Sequence, residues 1–244
     1  GAVSTGVDTA PAIQACIDAN PGRVIWIPPG TWSVAPQASR DNAAILLLSN
    51  QTLWLDAGAT LQLLPTALAI HQVVDFANAT NAHIMGGGTI NGDVATHLGV
   101  TGEGGYGLRF ADCVNCSASN IHVNECWGDS IFIGGDLGTG SSTGTRIHNV
   151  TMARSRRQGI SIVAADDVMI SHIRISDIGQ ILATAPAAGI DIEPNNGAPP
   201  VTNVSIRGFD ISGCVGGGIG VWSPTVPGAI ENISISDGVC RNNQ

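Results

Sequence analysis

Asp191 and Glu193 stand two residues apart in the segment Gly189-Ile190-Asp191-Ile192-Glu193-Pro194. If Ile190 and Ile192 face a core from an extended strand, alternation sends both carboxylates to the outer face, about 7 Å apart. Two like charges that close resist joint ionisation, so one pKa rises. That is a route to a general acid beside a base. Arg156-Arg157 precede the matching segment, Gln158-Gly159-Ile160-Ser161-Ile162, where a guanidinium can hold a carboxylate ionised. The competing reading is a solvated strand with ordinary polar residues.

The Gly-Ile-x-Ile/Val shape of these segments recurs. Gly218-Ile219-Gly220-Val221 follows them, while Gly128-Asp129-Ser130-Ile131-Phe132-Ile133 and Gly107-Leu108-Arg109-Phe110 precede. Returns roughly 30 residues apart mark a repeat array. Each copy reads as one strand of a coil laid over its predecessor, with Ile and Val inward. The outward column is then Arg109, Phe132, Ser161, Asp191 and Gly220. Asp129 lies two coils before Asp191, and Trp222 lies one coil after Glu193 at the same offset.

Composition agrees with short strands and tight turns. The 244 residues hold 32 glycines, are 43% hydrophobic and only 4% aromatic, and carry a net charge of -9. Every basic residue is Arg, and an acidic chain without a basic face is a poor nucleic-acid or anionic-membrane ligand. No apolar run is long enough to span a bilayer. Cys113-x-x-Cys116 lacks a second such pair or a neighbouring His pair to complete a metal site. Cys126 and Cys214, just before Gly-Ile copies, read as small buried side chains. His83, His97, His122 and His172 have no partners in sequence and read as solvated or turn-forming, so no residue is assigned to a metal. Asp166-Asp167 read as turn residues. Sequons begin at Asn50, Asn78, Asn115, Asn149, Asn203 and Asn232; a structural Asn at a coil corner accounts for them better than glycosylation.

The chain opens with a helix signal at Asp8-Thr9-Ala10-Pro11. Ile13, Cys16 and Ile17 share a face, and the helix stops by Asn20-Pro21-Gly22. Strand Arg23–Ile27 and Pro28-Pro29-Gly30-Thr31-Trp32 follow. Gly1-Ala2-Val3, Asp8 to Gln14, and Val24 to Trp32 together resemble the opening of pectate-lyase-like right-handed parallel β-helix proteins. The resemblance implies an all-β, single-stranded solenoid whose N-terminal α-helix caps the coil. Residues 1–34 would form the cap and first strand, and residues 35–244 the coils of a single domain. Gln244 falls within a repeat, so a longer parent chain is expected, since solenoid ends need caps. Residues 93–106, Gly-rich with His97 and Glu103, read as a loop leaving the coil, and such loops often line grooves.

Trp127-Gly128-Asp129-Ser130 is similar to the Gly-Asp-Asp of polygalacturonase-type glycoside hydrolases, with Ser130 where the second Asp would stand. Gln158 replaces the His of that family's Gly-His-Gly-Ile-Ser turn, and a chain without Lys cannot supply its Arg-x-Lys. That mechanism therefore does not transfer whole. The run from Trp127 to Asn195 looks like phage tailspikes and related polysaccharide depolymerases. This resemblance implies a polysaccharide partner, a location outside the cell or on the virion, and a homotrimer. Within that reading the alternation above makes Asp191 and Glu193 acid and base, Asp129 a further carboxylate, and Arg157 the group that tunes a carboxylate or holds an acidic sugar. Arg109, Arg156, Gln158 and Trp222 would contact substrate, although Trp222 reads equally as packed under residues 224–227. No cofactor is implied, except a calcium ion if the reaction is β-elimination and not hydrolysis. The alternative is a non-catalytic receptor-binding or shaft module.

Overall fold

The computed structural model describes residues 6–136, 140–223 and 229–244. One α-helix, Ala10–Ala19, precedes two parallel sheets wound as a β-helix. Asp8 Oδ1 accepts the Ala10 N–H at 3.0 Å, and Pro11 occupies the first turn, where its missing donor costs nothing. Ile13 and Ile17 are buried as the spacing implies, but Cys16 is exposed and Gln14 is buried instead. The reason is an open strand edge. Gln14 Oε1 accepts the Leu46 N–H at 2.8 Å and Nε2 donates to the Leu46 carbonyl at 2.9 Å, satisfying backbone that the cap would otherwise orphan.

The larger sheet stacks eight strands in order, from Val24–Ile27 through Thr52–Leu55, His83–Met85, Ser117–Asn124, Arg146–Ala153, Ala165–Ser176 and Val201–Ser212 to Ile230–Ser236. The second sheet stacks seven: Ala43–Leu46, Ile70–Asp75, Gly104–Ala111, Asp129–Gly134, Gln158–Ile162, Ile190–Ile192 and Ile219–Val221. Between the sheets runs a ladder of identical residues. Ile131 pairs with Ile160, Ile160 with Ile190, and Ile190 with Ile219. Each wholly buried Ile in this ladder contributes about 1.5–3 kcal/mol. Cys113, Cys116, Cys126 and Cys214 join the same core as free thiols.

The repeat's glycine fills a slot with no room. A Cβ on Gly159 would sit 2.4 Å from the Gly189 carbonyl oxygen and 2.8 Å from Ile175 Cγ2. One on Gly189 would meet Ile211 Cγ2 at 2.4 Å. In the coil before, the register gives this slot to Ser130 and not to Gly128, because Ile131 pairs with Ile160. Ser130 is buried there, its hydroxyl 2.7 Å from that of Ser155. All six sequon asparagines have φ between 50° and 62°, the left-handed region that Asn tolerates at corners. Several also stack: Asn81 donates to Asn50, Asn149 to Asn120, and Asn232 to Asn203.

Candidate active site

The outward column of the second sheet is in continuous register. Asp75 pairs with Arg109, Arg109 with Phe132, Phe132 with Ser161, Ser161 with Asp191, and Asp191 with Gly220. A second column lies before the glycine slot: Gln72 pairs with Tyr106, and Asp129 with Gln158. Neighbouring coils lie about 4.8 Å apart, so side chains in these columns touch across coils.

The two columns join through one chain of hydrogen bonds. Ser161 Oγ donates to Asp129 Oδ2 at 2.7 Å. Arg157 Nη1 reaches both Asp129 oxygens, at 3.3 and 3.1 Å, and the Gln158 Oε1 at 2.9 Å. With its carbonyl turned to Arg157, the Gln158 amide must aim its NH2 the other way, and it donates to Asp191 Oδ2 at 2.6 Å. Glu103, from the loop before strand Gly104–Ala111, places Oε2 3.3 Å from Arg157 Nε. The Arg157 charge is therefore divided between Asp129 and Glu103, and does not touch Asp191.

Both aspartates are buried. Burial pushes the Asp129 carboxyl up to about 6, against the pull of Arg157 and Ser161. Asp191 is also raised to about 6, first by burial, then by the charge of Glu193 and by Glu193 accepting from the protonated form. Gln158 and Arg157 oppose that rise. Asp191 Oδ1, itself buried, has no hydrogen-bond donor among the described residues. A buried acceptor beside a second carboxylate is relieved by taking a proton, which Glu193 can then share. The Asp191 and Glu193 expectation thus acquires an asymmetry: Asp191 is 2% exposed, whereas Glu193 is exposed. Burial of Tyr106 beside Asp129 raises its phenol too, and its ring lies 4.9 Å from Phe132.

Beyond Asp191 the column continues to Gly220. Gly220 has no side chain, and a Cβ there would lie 2.6 Å from Trp222 Nε1 and 3.2 Å from Asp191 Oδ1. Only a glycine lets the indole and the buried carboxyl oxygen approach this closely. Trp222 is 60% exposed, and its backbone N–H donates to the Ile192 carbonyl at 2.9 Å, holding it beside Glu193. Residues 224–227, the loop of the equal reading in which Trp222 packs, lie outside the described residues.

Other expected contacts are employed elsewhere. Arg109, 6% exposed, donates to Asp75 at 3.1 and 2.7 Å, to Asp41 at 2.9 Å and to Asp136 at 3.4 Å. It lies three coils from Asp191 in the column. Arg156 turns inward from its neighbour Arg157, as adjacent residues of an extended chain do. It binds the Trp127 carbonyl at 2.6 Å, Thr184 Oγ1 at 2.5 Å and the Gly102 carbonyl, with its guanidinium 3.8 Å from the Trp127 ring centre. Neither arginine has a free fork for a ligand in this arrangement. His97 corrects an expectation outright. It is neither solvated nor partnerless: its side chain is 0% exposed, it bonds Asp93 at 2.8 Å, and it stacks on Trp127 at 3.9 Å. Ser161 and Tyr106 follow from register alone, whereas Glu103 sits in an insertion that carries no period.

No family model matches the chain. A protein of Bacillus subtilis (strain 168), the uncharacterized protein YclG, is 28% identical over 185 residues, which is 69% of this chain and 32% of that one. Among solved structures, the tailspike of E. coli bacteriophage HK620 in complex with a pentasaccharide aligns with TM-score 0.64 at 16% identity, over 96% of this chain and 47% of that one. The tailspike gp49 of Acinetobacter baumannii bacteriophage Fri1, a capsular polysaccharide depolymerase, aligns with TM-score 0.70 at 16% identity, over 98% and 45%. The chain thus spans about a third of the curated relative and under half of either tailspike. Its fold is the tailspike-like parallel β-helix.

Proposed function

We propose that the chain binds a polysaccharide across the outer face of the second sheet and hydrolyses it, with Asp191 as general acid. The observation that carries this reading is the buried Asp191 Oδ1, which has no hydrogen-bond donor among the described residues and lies beside the exposed Glu193 and Trp222. Asp191 protonates the glycosidic oxygen as its bond to the anomeric carbon breaks, and the exposed Glu193 takes a proton from the water that attacks that carbon. An indole beside such a pair suits the apolar face of a sugar ring. Asp129, sealed by Ser161 and Arg157, is a positioning residue: it anchors Arg157, which orients the Gln158 amide toward Asp191. The tailspike fold supports the same reading, and with it a location outside the cell or on a virion.

β-Elimination fits less well. It needs a uronate charge neutralised, yet Arg157 already faces two carboxylates. Nor do these carboxylates make a calcium site, since Asp129 is held by a guanidinium and Asp191 by an amide N–H, donors that compete with a cation. A non-catalytic module is the second reading, favoured by one feature of the larger sheet: Trp26 and Trp54 pair in register at 58% and 41% exposure, an apolar ladder suited to docking.

A panel of bacterial surface and plant polysaccharides, read for reducing ends and for 235 nm absorbance, tests the proposal. Hydrolysis predicts new reducing ends without the absorbance, lost in Asp191→Asn and Glu193→Gln. Absorbance would replace hydrolysis with elimination. Binding without cleavage on every glycan would leave the module reading.

A further inference from the structure

The loop 92–103 folds back over strand Ile70–Asp75 and closes on three side chains with almost no solvent exposure: His71 at 1%, Asp93 at 0% and His97 at 0%. Asp93 Oδ2 lies 2.8 Å from His97 Nδ1 and accepts from the Thr66 N–H at 3.2 Å. His71 Nδ1 lies 2.9 Å from the Leu68 carbonyl. A carbonyl only accepts, so that nitrogen carries the hydrogen. In a neutral His71 the other nitrogen, Nε2, is then a bare lone pair, and it faces Asp93 Oδ1 at 3.5 Å. Two acceptors look at each other in a dry pocket, and Asp93 Oδ1 has no hydrogen-bond partner. The arrangement needs positive charge between them.

We propose that His71, Asp93 and His97 bind a single divalent transition-metal ion of the zinc class, which pins the loop 92–103 to the coil. The offered ligand atoms all lie within 4.8 Å of one another. Ligands about 2.0–2.2 Å from one ion stand roughly 3–3.5 Å apart, and the two contacts to Asp93, at 2.8 and 3.5 Å, bracket that range. Two imidazoles and one carboxylate select zinc, cobalt or nickel over calcium and magnesium, which prefer all-oxygen shells. The outer shell of His71 is in place. The Leu68 carbonyl fixes the His71 tautomer, as backbone carbonyls do for metal-bound histidines. On its other side His97 rests on the Trp127 face, and Arg156 covers the opposite face of that indole.

The site is independent of the proposed glycan reaction and lies outside its cluster, but the loop connects them. Past His97 the chain reaches Glu103, which faces Arg157, and Trp127 is two residues before Asp129. An ion here would hold one wall of the carboxylate cluster in place.

The test uses the full chain, stripped with chelator and titrated with ZnCl2, and with CoCl2 for its visible absorption. Bound zinc of about one equivalent per chain, a cobalt spectrum of low coordination number and a Tm rise of about 5 °C are expected. His71→Ala, Asp93→Asn and His97→Gln should each weaken binding at least about tenfold, whereas His122→Ala, an exposed histidine in the larger sheet, should not. Absence of stoichiometric zinc or cobalt in the wild-type chain overturns the proposal, and that measurement depends on no variant folding. Unchanged stoichiometry in a folded His71→Ala or His97→Gln chain overturns it equally. A stripped chain that binds no metal, yet gains stability in acid through His71, would assign the missing charge to a proton.

Discussion

Two charged clusters share one column of the second sheet, and they differ in completeness. Around Arg109, Asp75 is gripped by Nε and Nη2, Asp41 shares Nη2, and Asp136 takes Nη1. Around Asp191, one oxygen has the Gln158 amide, the other has nothing, and a second carboxylate stands beside it. The same residue types, on the same face and only three coils apart, therefore make glue in one place and a candidate proton donor in the other. A saturated ion pair has nothing left to offer a ligand. A buried carboxyl with one oxygen lacking a donor holds its proton up to about pH 6 and can give it below that.

The contrast can be broken most forcefully at its closed end. Arg109→Met should cost about 3–5 kcal/mol in urea unfolding, because Asp75 is left buried and unpaired. Activity per folded molecule should hold. A large loss of activity at unchanged stability would move the site to Arg109. At the open end the pattern inverts. Asp191→Asn should lower glycan cleavage about 10²–10⁴-fold while leaving the folded chain as stable or more so at neutral pH.

The pH dependence sharpens the same point. Asp191 ionises near its ordinary value when unfolded and at about 6 when folded, so between those limits the folded chain holds the extra proton. Its contribution is thus favourable at low pH and is lost as pH rises through about 6. Relative to Asp191→Asn, the wild-type chain should lose stability from about pH 4 to 6 and stay level above, by thermal melts across a pH series. Parallel melting curves would remove the premise. The smallest effect belongs to the end of the column, at Gly220 and Trp222. Trp222→Ala should weaken glycan binding by about 1–2 kcal/mol with little change in kcat, while Gly220→Ala, which intrudes on both Trp222 and Asp191, should lower kcat and affinity together.

Much of this was legible from periodicity. The Ile ladder, the outward column from Arg109 to Gly220 and the offset of Trp222 from Glu193 all follow from one repeat on parallel strands, where register repeats with the coil. The departures arise where period stops. Arg156 and Arg157 are neighbours in sequence, yet one is locked to Trp127 and Thr184 and the other joins Asp129. No pattern of residue types distinguishes them. Ser130 takes the glycine slot because the alignment follows the pairing of Ile131 with Ile160, not the nearest Gly. Loop 92–103 hides Asp93 and His97 and delivers Glu103 through contacts made only after folding. An insertion has no neighbour in the next coil to reveal them.

The central claim is that Asp191, buried beside the exposed Glu193, keeps its proton well above the ordinary carboxylate range. Carbon-detected NMR titration of the side-chain carboxyls, with Asp191→Asn identifying the resonance, measures this directly. The account predicts a midpoint near 6 for Asp191, displaced further upward when Gln158→Ala removes its hydrogen bond. A midpoint near 4, alongside the exposed aspartates, would contradict it.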